Sequence, residues 1–388
     1  MLSVLKNSIK GDKAIWVIVL ILSLVSVLTV YSATGALAYK TKGGDTLFHM
    51  IKHTGFILIG LFFIWIIHRV PYSWYSRFSV VLLVISIPLL ILTLAMGVNL
   101  NQASRWLSIP GVGLTFQTSD LAKLALIMYL ARTLSNKQDV IKDFKKGFLP
   151  LIIPVLIVAG LILPANFSTA ALIMLISVVI IFIGRAKFRH ILFLVVTGAV
   201  ALSIFIAIVL YSGIPGRVQV WKNRIESFWE GDEESNYQAE QAKIAVATGG
   251  IVGKGLGNSV QRNYLPHPYS DFIYATIVEE YGLLGSGFLL LLYLALLYRI
   301  GKIVRKSKYA FQAFLAIGLG LNFVLQAFVN MAVSVNLIPV TGQTLPMVSM
   351  GGTSILFTSV AMGIILNISR LANEEQQIEK EIVTSDGD

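Results

Sequence analysis

Residues Ala14 to Ala33 read AIWVIVLILSLVSVLTVYSA, twenty positions without a charge. A helix of that length rises about 30 Å, the thickness of a bilayer's hydrocarbon layer. The run is too long for the apolar part of a secretory leader and lacks a small-residue cleavage site, so it is expected to stay as a span. Nine comparable runs follow, at roughly 53–68, 76–96, 118–134, 148–163, 168–184, 190–212, 275–299, 309–333 and 354–370. The run at 118–134 is the weakest, because it carries Asp120, Lys123 and Arg132. The pattern predicts an all-α, polytopic membrane protein with about ten transmembrane helices. Residues 1–370 form one domain, and 371–388 a polar tail expected to be disordered.

Composition agrees. Apolar residues make up 56% of the chain and charged residues 13%, about half the charge of a soluble domain. The absence of cysteine removes disulfides, thiolate metal sites and a Cys nucleophile. The net charge of +11 reads as basic loops on one membrane face rather than as a nucleic-acid surface. With the N-terminus placed in the cytoplasm, most of the 31 Lys and Arg residues fall on inner segments. The short outer connections 164–168 and 334–353 carry none. Both termini are therefore expected inside, with one large extracellular loop, 213–274, between spans 7 and 8.

Unusual residues gather on the outer side. Asn101–Trp106 (NQASRW) leads into a turn with Pro110, Gly111 and Gly113, then into Gln117–Lys123 (QTSDLAK). Asp120 and Lys123 are three apart and can pair on one helix face; an ordinary helix cap at Ser119 or Asp120 is the plainer alternative. Asn166–Ala170 (NFSTA) opens span 6, where small residues suit close helix packing. The long loop holds Arg217, Arg224, Lys243 and the glycines Gly249, Gly250, Gly253, Gly255 and Gly257. GKGLGNS lacks P-loop spacing, so these glycines are expected to serve turns or close backbone approach. Asp271 stands where a Pro-rich turn meets an apolar run. It is either a helix cap or an acid–base group at the water–lipid boundary. Asn336–Ser354 is apolar, uncharged and broken by Pro and Gly, which predicts a re-entrant loop buried in protein. The five histidines are scattered; His49 and His53 are i, i+4 with no third ligand in view.

Taken together, NQASRW with QTSDLAKL, NFSTA, GKGLGNSVQRNYLP with SDFIYATIVEEYGLLG, and NLIPVTGQTLPMVSMGGTS resemble the SEDS family (shape, elongation, division, sporulation) over nearly the whole chain. Gly255–Gln261 is similar to its division branch. The resemblance implies a peptidoglycan glycosyltransferase at the division septum, on the outer face of the bacterial cytoplasmic membrane. Such an enzyme joins the disaccharide-peptides of lipid II and releases undecaprenyl pyrophosphate. It also implies a class B penicillin-binding transpeptidase, other division proteins and membrane lipids as partners, and no nucleic acid.

The family's essential outer-loop Asp matches Asp271, the candidate base. Arg105, Lys123, Arg217, Arg224 and Lys243 are candidate diphosphate contacts, with Arg105 and Lys123 ranked first because they flank matched motifs. Asp120, Gln261 and Ser349 complete the substrate-contact candidates. A divalent cation at the diphosphate is left open, with no protein metal motif in view. Four departures stand out: Ser119-Asp120 for Pro-Glu, Asn166 for Asp, His267-Pro268-Tyr269-Ser270 for Glu-Ala-His-Thr, and Ser349-Met350-Gly351-Gly352 for Ser-Tyr-Gly-Gly. Asn166 removes an acid. The rival readings are a lipid II flippase, which needs a polar route at mid-depth, and a non-catalytic division scaffold.

Overall fold

The computed structural model describes residues 10–35, 37, 45–100, 103–108, 115–211 and 237–385. Arg217 and Arg224 lie outside the described residues. All ten expected runs are helical. In chain order they are α1 (Lys13–Ala33), α2 (Thr46–Ile67), α3 (Tyr72–Met96), α4 (Thr118–Asn136), α5 (Leu149–Ile162), α6 (Phe167–Ile183) and α7 (Phe188–Tyr211). After the amphipathic α8 (Tyr237–Gly249) come α9 (Ile273–Lys306), α10 (Ala310–Ser334) and α11 (Thr353–Ser385). Among the described residues seven stretches are long and apolar enough to cross a membrane, α5 counting with the preceding turn from Phe144. α6 and the apolar part of α7 are shorter, and α4 carries the charges noted above. The chain is a multi-pass membrane protein.

A central helix is α10, packed against α4, α6, α8, α9 and α11. Its apolar residues Leu315, Leu319, Phe323 and Ala327 are buried at the centre of one large core. The side of α2 and α3 that faces away from the bundle shows Leu58, Phe62, Val84 and Ile91, each about half exposed or more. Such a surface suits lipid rather than water.

The start of α1 meets the last turns of α9 and the polar part of α11 at one end of the bundle. Asp12 caps α1 through the Ala14 and Ile15 N–H groups and receives Arg299 from the last turns of α9. Lys10 pairs with Glu374 at 3.5 Å.

Two features depart from the sequence expectation. Between α3 and α4 lies a three-stranded antiparallel sheet, β1 (Val98–Leu100), β2 (Ala103–Ser108) and β3 (Thr115–Gln117), where only a Gly/Pro turn was foreseen. Trp106 faces Gln117 across the β2–β3 ladder. The tail is also not disordered throughout: α11 continues past Arg370 to Ser385. Its EEQQIEKE run consists mostly of strong helix formers, enough to extend an existing helix into a polar setting.

The expected buried, non-helical segment joins α10 to α11. Four of its carbonyls are satisfied by side chains from surrounding helices. Gln343 O accepts from Asn330 (2.7 Å), Thr344 O from Gln326 (3.0 Å), Pro346 O from Tyr293 (2.6 Å) and Val348 O from Ser26 (2.7 Å). Irregular backbone at membrane depth requires this kind of compensation.

Candidate active site

Three segments far apart in sequence converge at the end of the bundle away from the termini. The first is the turn before α9. Its three successive carbonyls, of Tyr269, Ser270 and Asp271, accept from Met350 N–H (2.9 Å), the Ser349 hydroxyl (2.7 Å) and the Asn330 amide (2.8 Å). The backbone beneath Asp271 is thus fixed from α10 and the non-helical segment. Its carboxylate does not cap α9, whose N-cap is Phe272 without a side-chain bond. Asp271 Oδ1 accepts the Ser270 hydroxyl at 2.7 Å, and the side chain is half-buried.

The second segment supplies Gly342, at φ +67° in the left-handed region. A Cβ built there would lie 3.4 Å from Asp271 Oδ2 and 3.3 Å from Arg105 Nη1. The third segment is β2, which carries Arg105. Its Nε donates to the Ala165 carbonyl at 3.1 Å, beside the start of α6. A carboxylate and a guanidinium thus both approach a residue with no side chain. Burial, followed by the nearby Asp271 charge, holds the Tyr269 hydroxyl above its ordinary value, so it stays protonated.

Asp120 and Lys123 form the pair their spacing predicts, at 2.9 Å, and both are buried. Lys123 also donates to Gln326 (3.1 Å), and Asp120 accepts from Ser354 (2.6 Å). The cavity they line is small, about 30 Å³, with room for water. A second, lined by Arg105, Ser119 and Asn166, is about 20 Å³. Both are narrow in this structure. In this structure Lys123 therefore joins α4 to α10 rather than presenting an open cation.

Other candidates divide the same way. Ser349 is 2% exposed, and its hydroxyl accepts Leu345 N–H (2.7 Å) while donating to Ser270 O. It is a clamp on the Asp271 turn and presents no open face, because a buried hydroxyl must be bonded within the protein. Gln261 sits in a short 3₁₀ turn, its N–H on Glu279 at 3.2 Å. Lys243 is exposed on α8, whose buried face is Ala239, Ala242 and Ala245. Asn166 caps α6 by accepting Thr169 N–H (3.2 Å), a task Asp performs equally well.

The glycine cluster approaches the chain's own helix. Gly282 breaks α9 at φ +64°, and a Cβ on Gly253 would run into the Glu280 carbonyl. Four backbone bonds close the junction: Lys254 N–H to Glu279 O, Gly255 to Glu280, Leu283 to Gly250 and Leu284 to Ile251, at 2.9–3.1 Å. The fully buried Glu279 carboxylate accepts Lys254 Nζ (2.6 Å), Ser259 Oγ (2.5 Å), and the Val260 and Gln261 N–H groups. Sequence reasoning missed Gly342, Asn330, Gln326 and the work of Glu279. Amides in the middle of an apolar helix were the available signal for the middle pair. Among the described residues no group of three or more His, Asp or Glu gathers to hold a metal.

Residues 12–374 match the family model described as Cell cycle protein, which covers FtsW, RodA and SpoVE. Stage V sporulation protein E of Bacillus subtilis is 36% identical over 92% of this chain and 97% of its own length. The probable peptidoglycan glycosyltransferase FtsW of Trichlorobacter lovleyi is 35% identical over 92% and 93%. Among solved structures, the rod shape determining protein RodA of Thermus thermophilus superposes with a TM-score of 0.67 at 22% identity, over 93% of this chain and 97% of its own. A chain from work on structural coordination of polymerization and crosslinking by a peptidoglycan synthase complex gives 0.71 at 24%, over 93% and 98%. At those identities the superpositions speak for the fold, while the sequence matches decide the family: the chain belongs to the FtsW/RodA/SpoVE cell cycle proteins.

Proposed function

We propose that this protein is a peptidoglycan glycosyltransferase that polymerises lipid II, with Asp271 as general base and Arg105 as the cation for the leaving diphosphate. The supporting observation is the placement of Asp271 Oδ2 and Arg105 Nη1 around Gly342. In the reaction the acceptor sugar's hydroxyl oxygen bonds to the donor's anomeric carbon as the bond to the diphosphate breaks. The hydroxyl proton passes to Asp271, and the charge developing on the diphosphate faces Arg105. Arg217, Arg224 and Lys243 remain further diphosphate contacts in this reading. The site faces the outer leaflet of the cytoplasmic membrane, with both termini inside. A class B transpeptidase is the proposed partner, and the septum the proposed location.

The flippase reading gains little from the interior, where the buried Asp120–Lys123 pair is engaged with its own neighbours. The test is purified protein, with and without its transpeptidase, supplied with labelled lipid II. Glycan polymer lost on Asp271→Asn is the expected result. Polymer unaffected by that change, or lipid translocation without polymer, overturns the assignment.

A further inference from the structure

The largest of the three cavities described lies at the opposite end of the bundle from Asp271. It measures about 550 Å³, against 30 and 20 Å³ for the two beside the candidate site, and falls in the size range of ligand pockets. Two helix ends and one helix side wall it: the last turns of α9, the start of α1 and the middle of α11. Lys13, Arg299, Lys302, Arg305 and Lys306 line it, and Asp12 is the only carboxylate among the lining residues. Asp12 is already bonded to Arg299. The macrodipole at the C-terminus of α9 amounts to roughly half a negative charge, too little to explain the four remaining cations.

Aromatic side chains place this wall at headgroup level. Tyr298 is 63% exposed, with Lys302 Nζ 4.8 Å from its ring centroid. At the same end Arg69 lies 3.9 Å over Trp65, and Asn367 of α11 holds the adjoining His68 and Val70 carbonyls. Exposed aromatics paired with long cations are how membrane proteins meet the interface. We infer that this cavity binds the phosphate of an anionic phospholipid headgroup from the leaflet opposite Asp271.

The test uses the full chain in a neutral detergent. Retained lipid is measured by native mass spectrometry after titration with phosphatidylglycerol or phosphatidylcholine. Wild type is expected to hold phosphatidylglycerol in preference to phosphatidylcholine. Lys302→Gln/Arg305→Gln is expected to weaken it about tenfold, and Lys306→Gln less. These positions are exposed, and Arg299 is left intact, so circular dichroism should match wild type. Unchanged retention in the folded double variant, or equal retention of both lipids, overturns the proposal. So does displacement of phosphatidylglycerol by millimolar inorganic phosphate, which would make a soluble phosphate the ligand. Tighter binding of a poly-glutamate peptide would point instead to a protein partner and also overturns it.

Discussion

Asp271 and Glu279 stand eight positions apart in one motif, yet the structure treats them in opposite ways. Glu279 is completely buried and accepts four hydrogen bonds, from Lys254, Ser259 and two backbone N–H groups. Asp271 is half-buried, and its carboxylate accepts from the neighbouring Ser270 hydroxyl. A carboxylate with all its lone pairs engaged holds structure together. One with a free oxygen near a cation can take a proton.

The contrast can be broken by experiment. Asp271→Asn should lower polymerisation of lipid II about 10²- to 10⁴-fold while leaving the thermal midpoint unchanged. Glu279→Ala should do the reverse. Loss of a buried acceptor for Lys254 and three further donors costs about 3 kcal/mol, read as a lower unfolding midpoint. Gly342→Ala tests the space between the charges. Strain at φ +67° costs about 1–2 kcal/mol, and the new methyl should cut turnover about tenfold through crowding of Asp271 and Arg105. Arg105→Lys keeps the charge but loses the planar fork, and about a fivefold loss in kcat/KM is expected. Asn166→Asp should change stability by under about 0.5 kcal/mol, checked by the same melt; a larger shift would give the missing acid a role beyond capping.

Much of the helical frame was legible because each apolar run is longer than any soluble core helix needs. The Asp120–Lys123 pair was legible from spacing alone. The sheet at 98–117 was not, because its strands are short and its β1–β2 register is irregular. The helical tail was hidden by polarity, which argues against burial but not against helix. Lys123 ranked high as a ligand for diphosphate because sequence shows a cation near a span end, not that Asp120 and Gln326 surround it. The site itself depends on residues 105, 271 and 342 meeting, and no local pattern encodes that convergence. The amides on α10 that make it possible look, in sequence, like blemishes in a lipid-facing helix.

The four backbone bonds between Gly250–Gly255 and Glu279–Leu284 have a practical result. They turn the stretch carrying Asp271 into a staple closed at its base, with Val260 and Gln261 N–H pinned to the same carboxylate. A single proteolytic nick at exposed Leu256 or Tyr264 would leave both new ends tethered. Activity should outlast the cut, which makes this crest a place to insert a tag or a cleavage reporter.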